Sequence, residues 1–110
     1  MTDLTTLILK TLDDHKALDV TVLDIRTLTD IADTFIIASA SSNRHARTLG
    51  DKVAREMKTA GNAPCYVSGE DVGEWVILDF IDVVVHIMLP AARDLYQLEE
   101  LWSSTQKHRQ

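Results

Sequence analysis

Cysteine, proline and glycine are scarce in this sequence. The single cysteine, Cys65, excludes an internal disulfide and argues against a cysteine-based zinc site, so a reducing compartment is the expected environment. Four glycines and two prolines among 110 residues argue against a fibrous or low-complexity chain. No apolar run approaches the ~18 residues of a membrane span. The first residues lack the basic start and apolar core of a cleaved signal, so we expect a cytoplasmic protein.

Basic residues are outnumbered by acidic ones. Eleven Lys and Arg against seventeen Asp and Glu give a net charge of −6 at pH 7. This charge argues against bulk nucleic-acid binding through counterion release, and it is compatible with docking on a basic protein. With 45% apolar and 25% charged residues, the chain is typical of one globular domain with a modest core. We expect that domain over residues 1–102 and a flexible tail over 103–110.

The densest apolar stretch, Glu74 to Leu89, predicts a β-hairpin. β-branched and aromatic residues dominate it, and a short polar break at Ile81-Asp82 marks the turn. A two-residue loop would place Phe80 opposite Val83, whereas a three-residue loop would move His86 into the core. We therefore favour the two-residue loop. The pairs that it predicts are Asp79 with Val84, Ile77 with His86, and Trp75 with Met88.

Alternation of side chains along these two strands gives the hairpin two different faces. One face is wholly apolar and is expected to be core: Val76, Leu78, Phe80, Val83, Val85 and Ile87. The other is mixed, as an exposed partner-binding surface would be: Trp75, Ile77, Asp79, Val84, His86 and Met88.

The other segments complete an α-β-β-α-β-β-β-α order. Apolar residues recur at helical spacing in three segments, and β-branched runs bounded by polar residues mark three more strands. The predicted helices cover about 3–17, 41–60 and, after Pro90, 94–102; the predicted strands cover 20–25, 34–40 and 65–68, the first two mostly buried. This order predicts an α+β fold, an α/β sandwich in which helices pack on a mixed β-sheet of about five strands.

The second predicted helix has a basic side. At 100° per residue, one arc carries Arg44, Arg47, Asp51, Arg55 and Lys58. Such an arc is usually the solvated face of an amphipathic helix. Contact with RNA or with an acidic partner remains the alternative.

Catalytic and metal-binding patterns are weak. His86 and Asp79 could share a face, as a general base and its orienting carboxylate would, but no serine or cysteine lies in a recognisable nucleophile motif. No His-Glu-x-x-His sequence, cysteine pair or histidine cluster offers a metal site. We therefore predict no enzymatic activity, no metal and no cofactor.

A nucleotide-binding alternative rests on Ser39-Ala40-Ser41-Ser42, which ends a predicted strand before a helix. Helix N-termini bind phosphate, and nucleotidyltransferases place a Gly-Ser pair at such a turn. Those enzymes also need two carboxylates one residue apart on a neighbouring strand to hold magnesium. Asp30 and Asp33 are wrongly spaced for this. Helix capping by Ser41 or Ser42 is the simpler interpretation, and nucleotide binding without catalysis stays open.

Three stretches together resemble the ribosomal silencing factor family, also called Iojap-related proteins. They are 41–45 (Ser-Ser-Asn-Arg-His), the hairpin strands with Trp75-Val-Ile-Leu-Asp79 and Asp82-Val-Val-Val-His86-Ile, and Arg93-x-Leu-Tyr-x-Leu-Glu-x-Leu-Trp102. The resemblance covers nearly the whole chain. It implies a nucleotidyltransferase-like fold without the catalytic carboxylates.

The resemblance also implies a function. Such factors bind the large ribosomal subunit through its ribosomal protein fourteen and sterically block joining of the small subunit, which represses translation when nutrients are scarce. A non-ribosomal interaction module and a nucleotide-binding regulator are the alternatives. The family usually has glycine where Ile81 and Ala40 stand. Because a β-branched residue resists the positive φ of a tight turn, Ile81 favours a wider or bulged hairpin loop, which would weaken the two-residue register.

The mixed hairpin face is the expected docking surface. Trp75 would anchor it as a large rigid aromatic, and carboxylates would meet Arg or Lys of the ribosomal protein. A packing role for Trp75, a turn-capping role for Asp79 and a sheet-packing role for His86 are the structural alternatives. An exposed apolar face would also favour a homodimer of the free protein. The predicted partner-binding residues are Trp75, Ile77, Asp79, Asp82, His86 and Met88, with secondary contacts at Glu70, Glu74, Arg44 and Arg47.

Overall fold

The computed structural model describes residues 4–26, 33–62, 64, 66–69, 71 and 73–92. Helical backbone also begins at Pro90, but the predicted helix 94–102 and the tail lie outside these residues, as do Cys65 and Glu70. The elements follow the predicted order. They are α1 (Leu4–Asp14), β1 (Leu18–Asp24), β2 (Thr34–Ser39), α2 (Asn43–Thr59), β3 (Tyr66–Ser68), β4 (Trp75–Asp79) and β5 (Val83–Met88).

The strands form one mixed sheet in the order β1-β2-β5-β4-β3. Strands β2 and β5 are parallel, and the other neighbouring pairs are antiparallel. The parallel pair is central because the chain crosses over through α2 and the β3–β4 segment before β5 returns beside β2. The prediction of an α+β fold with a five-stranded mixed sheet is confirmed.

Helices α1 and α2 pack on one face of the sheet and form the main core with it. The helical contribution comes from apolar positions spaced three or four residues apart, such as Ile8 and Leu12 of α1. All six hairpin residues predicted to be core belong to this cluster. The larger buried members from the helices and strands are Ile8, Leu12, Leu49, Val53, Met57, Ile36, Val76, Leu78, Val85 and Ile87.

The hairpin has the predicted register and a two-residue turn. Trp75 pairs with Met88, and Phe80 N–H donates to the Val83 carbonyl at 2.9 Å. The expectation of a wider or bulged loop is therefore wrong. Ile81 instead adopts φ +76°, and the Asp79 Oδ1 atom accepts a hydrogen bond from Ile81 N–H at 2.8 Å. The turn-capping alternative for Asp79 is thus observed.

Strand β1 is not the mostly buried strand that the sequence predicts. It lies at the edge of the sheet, and Leu18, Val20 and Val22 are exposed. An extra residue between Leu18 and Thr21 bulges the strand, and Asp19 there has φ +46°. An edge strand has a neighbour on one side only, so its apolar residues receive less cover.

Helix α2 has distinct start and stop signals. Ser42 is the N-cap, and its Oγ atom accepts a hydrogen bond from His45 N–H at 3.0 Å. At the other end Gly61 has φ +88°, and Asn62 N–H donates to the Met57 carbonyl at 2.7 Å. Neither described helix is long and apolar enough to cross a membrane.

Candidate functional site

The candidate site lies on the front face of the sheet, which we define as the face opposite α1 and α2. Side chains of the mixed hairpin face point this way, because their neighbours on the same strands belong to the helix-covered core. Two halves of this face differ in exposure. We call the half on β2 and β5 the covered half and the half on β3 and β4 the docking patch.

The covered half is closed. Phe35 and Ile37 of β2 lie beside Val84 and His86 of β5, and all four are buried. Met88 is fully buried as well. The prediction that His86 and Met88 lie on an exposed surface is wrong, because both side chains are buried. Ile37 lies beside His86 through the parallel pairing of β2 with β5. Neither side chain can touch a partner in this conformation.

Trp75 and His86 are joined across the hairpin. The Trp75 Nε1–H donates to His86 Nδ1 at 3.0 Å, and the two rings lie 6.0 Å apart between centroids. Phe35 packs at 4.8 Å on the same imidazole. Because Nδ1 accepts a hydrogen bond, a neutral His86 carries its proton on Nε2. This pairing fixes the orientation of the indole ring, and His86 is a positioning residue for Trp75.

The environment of His86 favours its neutral form. Burial lowers the pKa of His86 from 6.5 to about 4, because a charged ring would lose its hydration. The buried Nε2 atom has no hydrogen-bond partner among the residues that the structure describes. The alternative in which His86 is a sheet histidine with a hydrogen-bond partner is observed at Nδ1.

The docking patch is only partly covered. Trp75, Ile77 and Asp79 alternate along β4, and each side chain is half-buried. Across the strand pair, Tyr66 lies opposite Asp79 and is 61% exposed. The patch thus combines two aromatic rings, an isoleucine and a carboxylate on adjacent strands.

Tyr66 was not among the predicted partner-binding residues. Its strand is only three residues long, and its pairing with β4 depends on the loop between them. The available signal was alternation: Tyr66 and Ser68 share a face, so the antiparallel register with β4 puts both on the front face.

Other carboxylates surround the patch. Glu74 and Asp82 are exposed at opposite ends of β4, Glu74 just before the strand and Asp82 in the hairpin turn. Asp82 also has a structural role, because its backbone carbonyl accepts hydrogen bonds from Asp33 N–H and Thr34 N–H at 2.9 and 3.1 Å. Glu70 lies outside the described residues.

The predicted secondary contacts on α2 lie on the other layer of the molecule. Arg44 and Arg47 are exposed on the outer side of α2. They are therefore separate from the front face, although Arg47 reaches the loop that leads into β4.

The structure gives little support for nucleotide binding at the start of α2. Ser42 caps α2, and Ser41 N–H donates to His45 Nδ1 at 2.9 Å, so both serines already serve the helix start. The capping interpretation is confirmed for Ser42. Among the described residues, no group of three or more His, Cys, Asp or Glu could hold a metal ion.

Comparisons with known proteins agree with this architecture. The family model described as "Ribosomal silencing factor during starvation" matches residues 1–110. The chain is similar to the ribosomal silencing factor RsfS of Chromobacterium violaceum, with 40% identity over 91% of this chain and 82% of that protein. It is 34% identical to RsfS of Haemophilus influenzae over 87% of this chain and 94% of that protein.

A solved structure has the same fold. The crystal structure of a Chromobacterium violaceum protein superposes with a TM-score of 0.89 at 40% identity, covering 91% of this chain and 83% of that one.

Proposed function

Because the chain belongs to the ribosomal silencing factor family, we propose that it represses translation by binding the large ribosomal subunit through the docking patch. The bound protein would then sterically block joining of the small subunit in the cytoplasm. The proposed contact on the subunit is ribosomal protein fourteen, as the resemblance to the family implies. The observation that carries the proposal is the half-open patch of Tyr66, Trp75, Ile77 and Asp79 with its acidic surroundings.

The chemistry of the patch suits a basic protein. Tyr66 and Trp75 supply large rigid apolar surfaces with a polar tip, which are enriched at the centres of interfaces. Trp75 is also held in place by His86, so it loses little conformational freedom on binding. Glu74, Asp79 and Asp82 provide negative charge around the rings, which would orient Arg or Lys of the partner and repel RNA.

The front face is less exposed than predicted, and this affects the expected self-association of the free protein. Among the described residues, the β2–β5 half of the front face is buried, so a second copy would bury less apolar surface than the whole face offers. We expect the homodimer of the free protein to be weak and to compete with the ribosome for the same patch.

Sedimentation with purified subunits tests the proposal. We expect the protein to co-migrate with large but not small subunits. Two surface changes should abolish binding while leaving the fold intact: Tyr66→Ala removes an exposed ring, and Glu74→Lys reverses an exposed charge.

Matched controls lie away from the patch. Leu18→Ala removes an exposed apolar side chain at the opposite sheet edge, and Asp13→Lys reverses an exposed charge on α1. Both should bind like the wild type. Failure of the wild type to bind large subunits, or equal binding by all four variants, would contradict the proposal.

A further inference from the structure

The outer side of α2 carries concentrated positive charge. We define the basic stripe as Arg44, Arg47, Arg55 and Lys58. Within the described part of the chain, only Arg55 of the stripe has an ion pair, with Asp51 at 3.2 Å. The other three cations are exposed.

Charge is strongly segregated in this protein. Helix α2 holds five Lys and Arg against one Asp and one Glu, a net charge of +3. The whole chain carries −6, so the residues outside α2 sum to −9. The helix is therefore the one cationic element of the described fold.

The spacing of the basic stripe is unfavourable for an isolated solvated helix. Arg44 and Arg47 are three residues apart, as are Arg55 and Lys58, so like charges lie side by side on the helix surface. A pair of opposite charges at the same spacing would stabilise the helix. Asp51 could pair with Arg47, but it bonds to Arg55. An external anion would relieve this repulsion.

One residue of the basic stripe, Arg47, reaches the loop that leads into the docking patch. A Cβ atom built on Gly73 would lie 3.1 Å from Arg47 Nε, so the Arg47 side chain rests on the loop directly before Glu74 and Trp75. Helix α2 also packs closely on β4, because a Cβ on Gly50 would lie 3.0 Å from Val76 Cγ1. A partner that extends from the docking patch past this loop would come close to Arg47 and the N-terminal end of the stripe.

We propose that the basic stripe binds the phosphate backbone of RNA that flanks the protein contact on the large subunit. This inference rests on the proposed function. A basic ribosomal protein is embedded among RNA phosphates, which the acidic docking patch repels and the stripe attracts. Arg44 to Lys58 span about 21 Å along the helix axis, so several phosphates can be reached at once. The two surfaces would together fix the orientation of the bound protein.

The test is the salt dependence of affinity for purified large subunits. The variant Arg44→Gln/Arg47→Gln should bind about tenfold more weakly at ~0.1 M salt, and the slope of log K against log salt should fall by about 2. The matched control, Lys10→Gln/Arg26→Gln, removes the same charge from cations that are paired with Asp14 and Asp24. It should keep the wild-type affinity and slope.

A photo-crosslinking residue at position 47 identifies the occupant. Crosslinks to RNA support the inference, and crosslinks to protein alone overturn it. If both double variants bind like the wild type, the basic stripe is only a solvated helix face and this inference fails while the docking proposal stands. If the wild-type protein does not bind large subunits at all, both fail.

Discussion

Ile81 is the residue whose local conformation conflicts most with its side chain. It occupies the first central position of the two-residue turn with φ +76°, a region that glycine enters freely and β-branched residues avoid. The side chain is 63% exposed, so packing does not compensate for the strain. The turn is held instead by the Asp79 carboxylate and by the register of the two buried strands.

Replacing Ile81 by glycine should therefore stabilise the protein. We expect Ile81→Gly to raise the free energy of unfolding by about 1 kcal/mol, since relief of strain exceeds the added entropy of the unfolded chain. Urea denaturation measures this. Ile81→Ala is the control, because it removes the exposed side chain but keeps a Cβ at positive φ; it should gain less. A glycine variant no more stable than the wild type would show that the turn is unstrained.

His86 makes stability depend on pH. In the folded state its pKa lies at about 4, whereas the unfolded chain has the ordinary value of 6.5. Between these values the unfolded state binds more protons. The contribution of neutral His86 is thus complete above about pH 6.5, is lost as the pH falls from 6.5 to 4, and changes no further below 4.

The variant His86→Gln should flatten this pH dependence, because its amide oxygen can accept from Trp75 but does not titrate. By pH 4.5 we expect the wild type to have lost about 2.5 kcal/mol more than the variant, relative to pH 7. Unfolding free energies from urea titrations at the two pH values give the difference. Parallel losses in both proteins would mean that His86 is not held neutral by burial.

At the scale of elements, the hairpin was predictable and its surroundings were not. Alternation of apolar and polar residues fixed the strand faces and the register, because a slip would move His86 into the helix-covered core. Phe35 packs on the His86 ring and Ile37 lies beside it, both from the parallel neighbour β2, a pairing between distant segments that periodicity does not reveal. The predicted partner-binding surface therefore includes β5 residues that the structure buries.

The β3–β4 connection depends on Gly69. This residue has φ +83°, and a Cβ atom there would overlap the carbonyl oxygen of Trp75. Gly69→Ala should cost about 3 kcal/mol or more and disturb the docking patch, because the obstacle is backbone. Gly61 has a similar φ of +88° but no atom within 4 Å of its Cβ position. Gly61→Ala should cost only about 1 kcal/mol. Equal losses in urea denaturation would rule out the steric argument.

At the scale of the whole molecule, the two layers carry different chemistry. The front face combines aromatic rings with carboxylates at the β3–β4 edge, and the outer side of α2 carries the basic stripe. Net charge predicts an acidic protein, and helical periodicity predicts the basic side of α2. The contact of Arg47 with the loop before Trp75 depends on the folded arrangement and could not be predicted from either. An acidic protein can in this way offer separate surfaces to a basic protein and to RNA.

The rate of subunit joining is a direct measure of the proposed steric block. Light scattering follows the association of large and small subunits after the large subunits have been incubated with this protein. We expect the wild type and Leu18→Ala to suppress joining, and Tyr66→Ala and Glu74→Lys to leave it unaffected at the same concentration. If the wild-type protein occupies the large subunit and joining proceeds at the normal rate, the proposed steric block is contradicted.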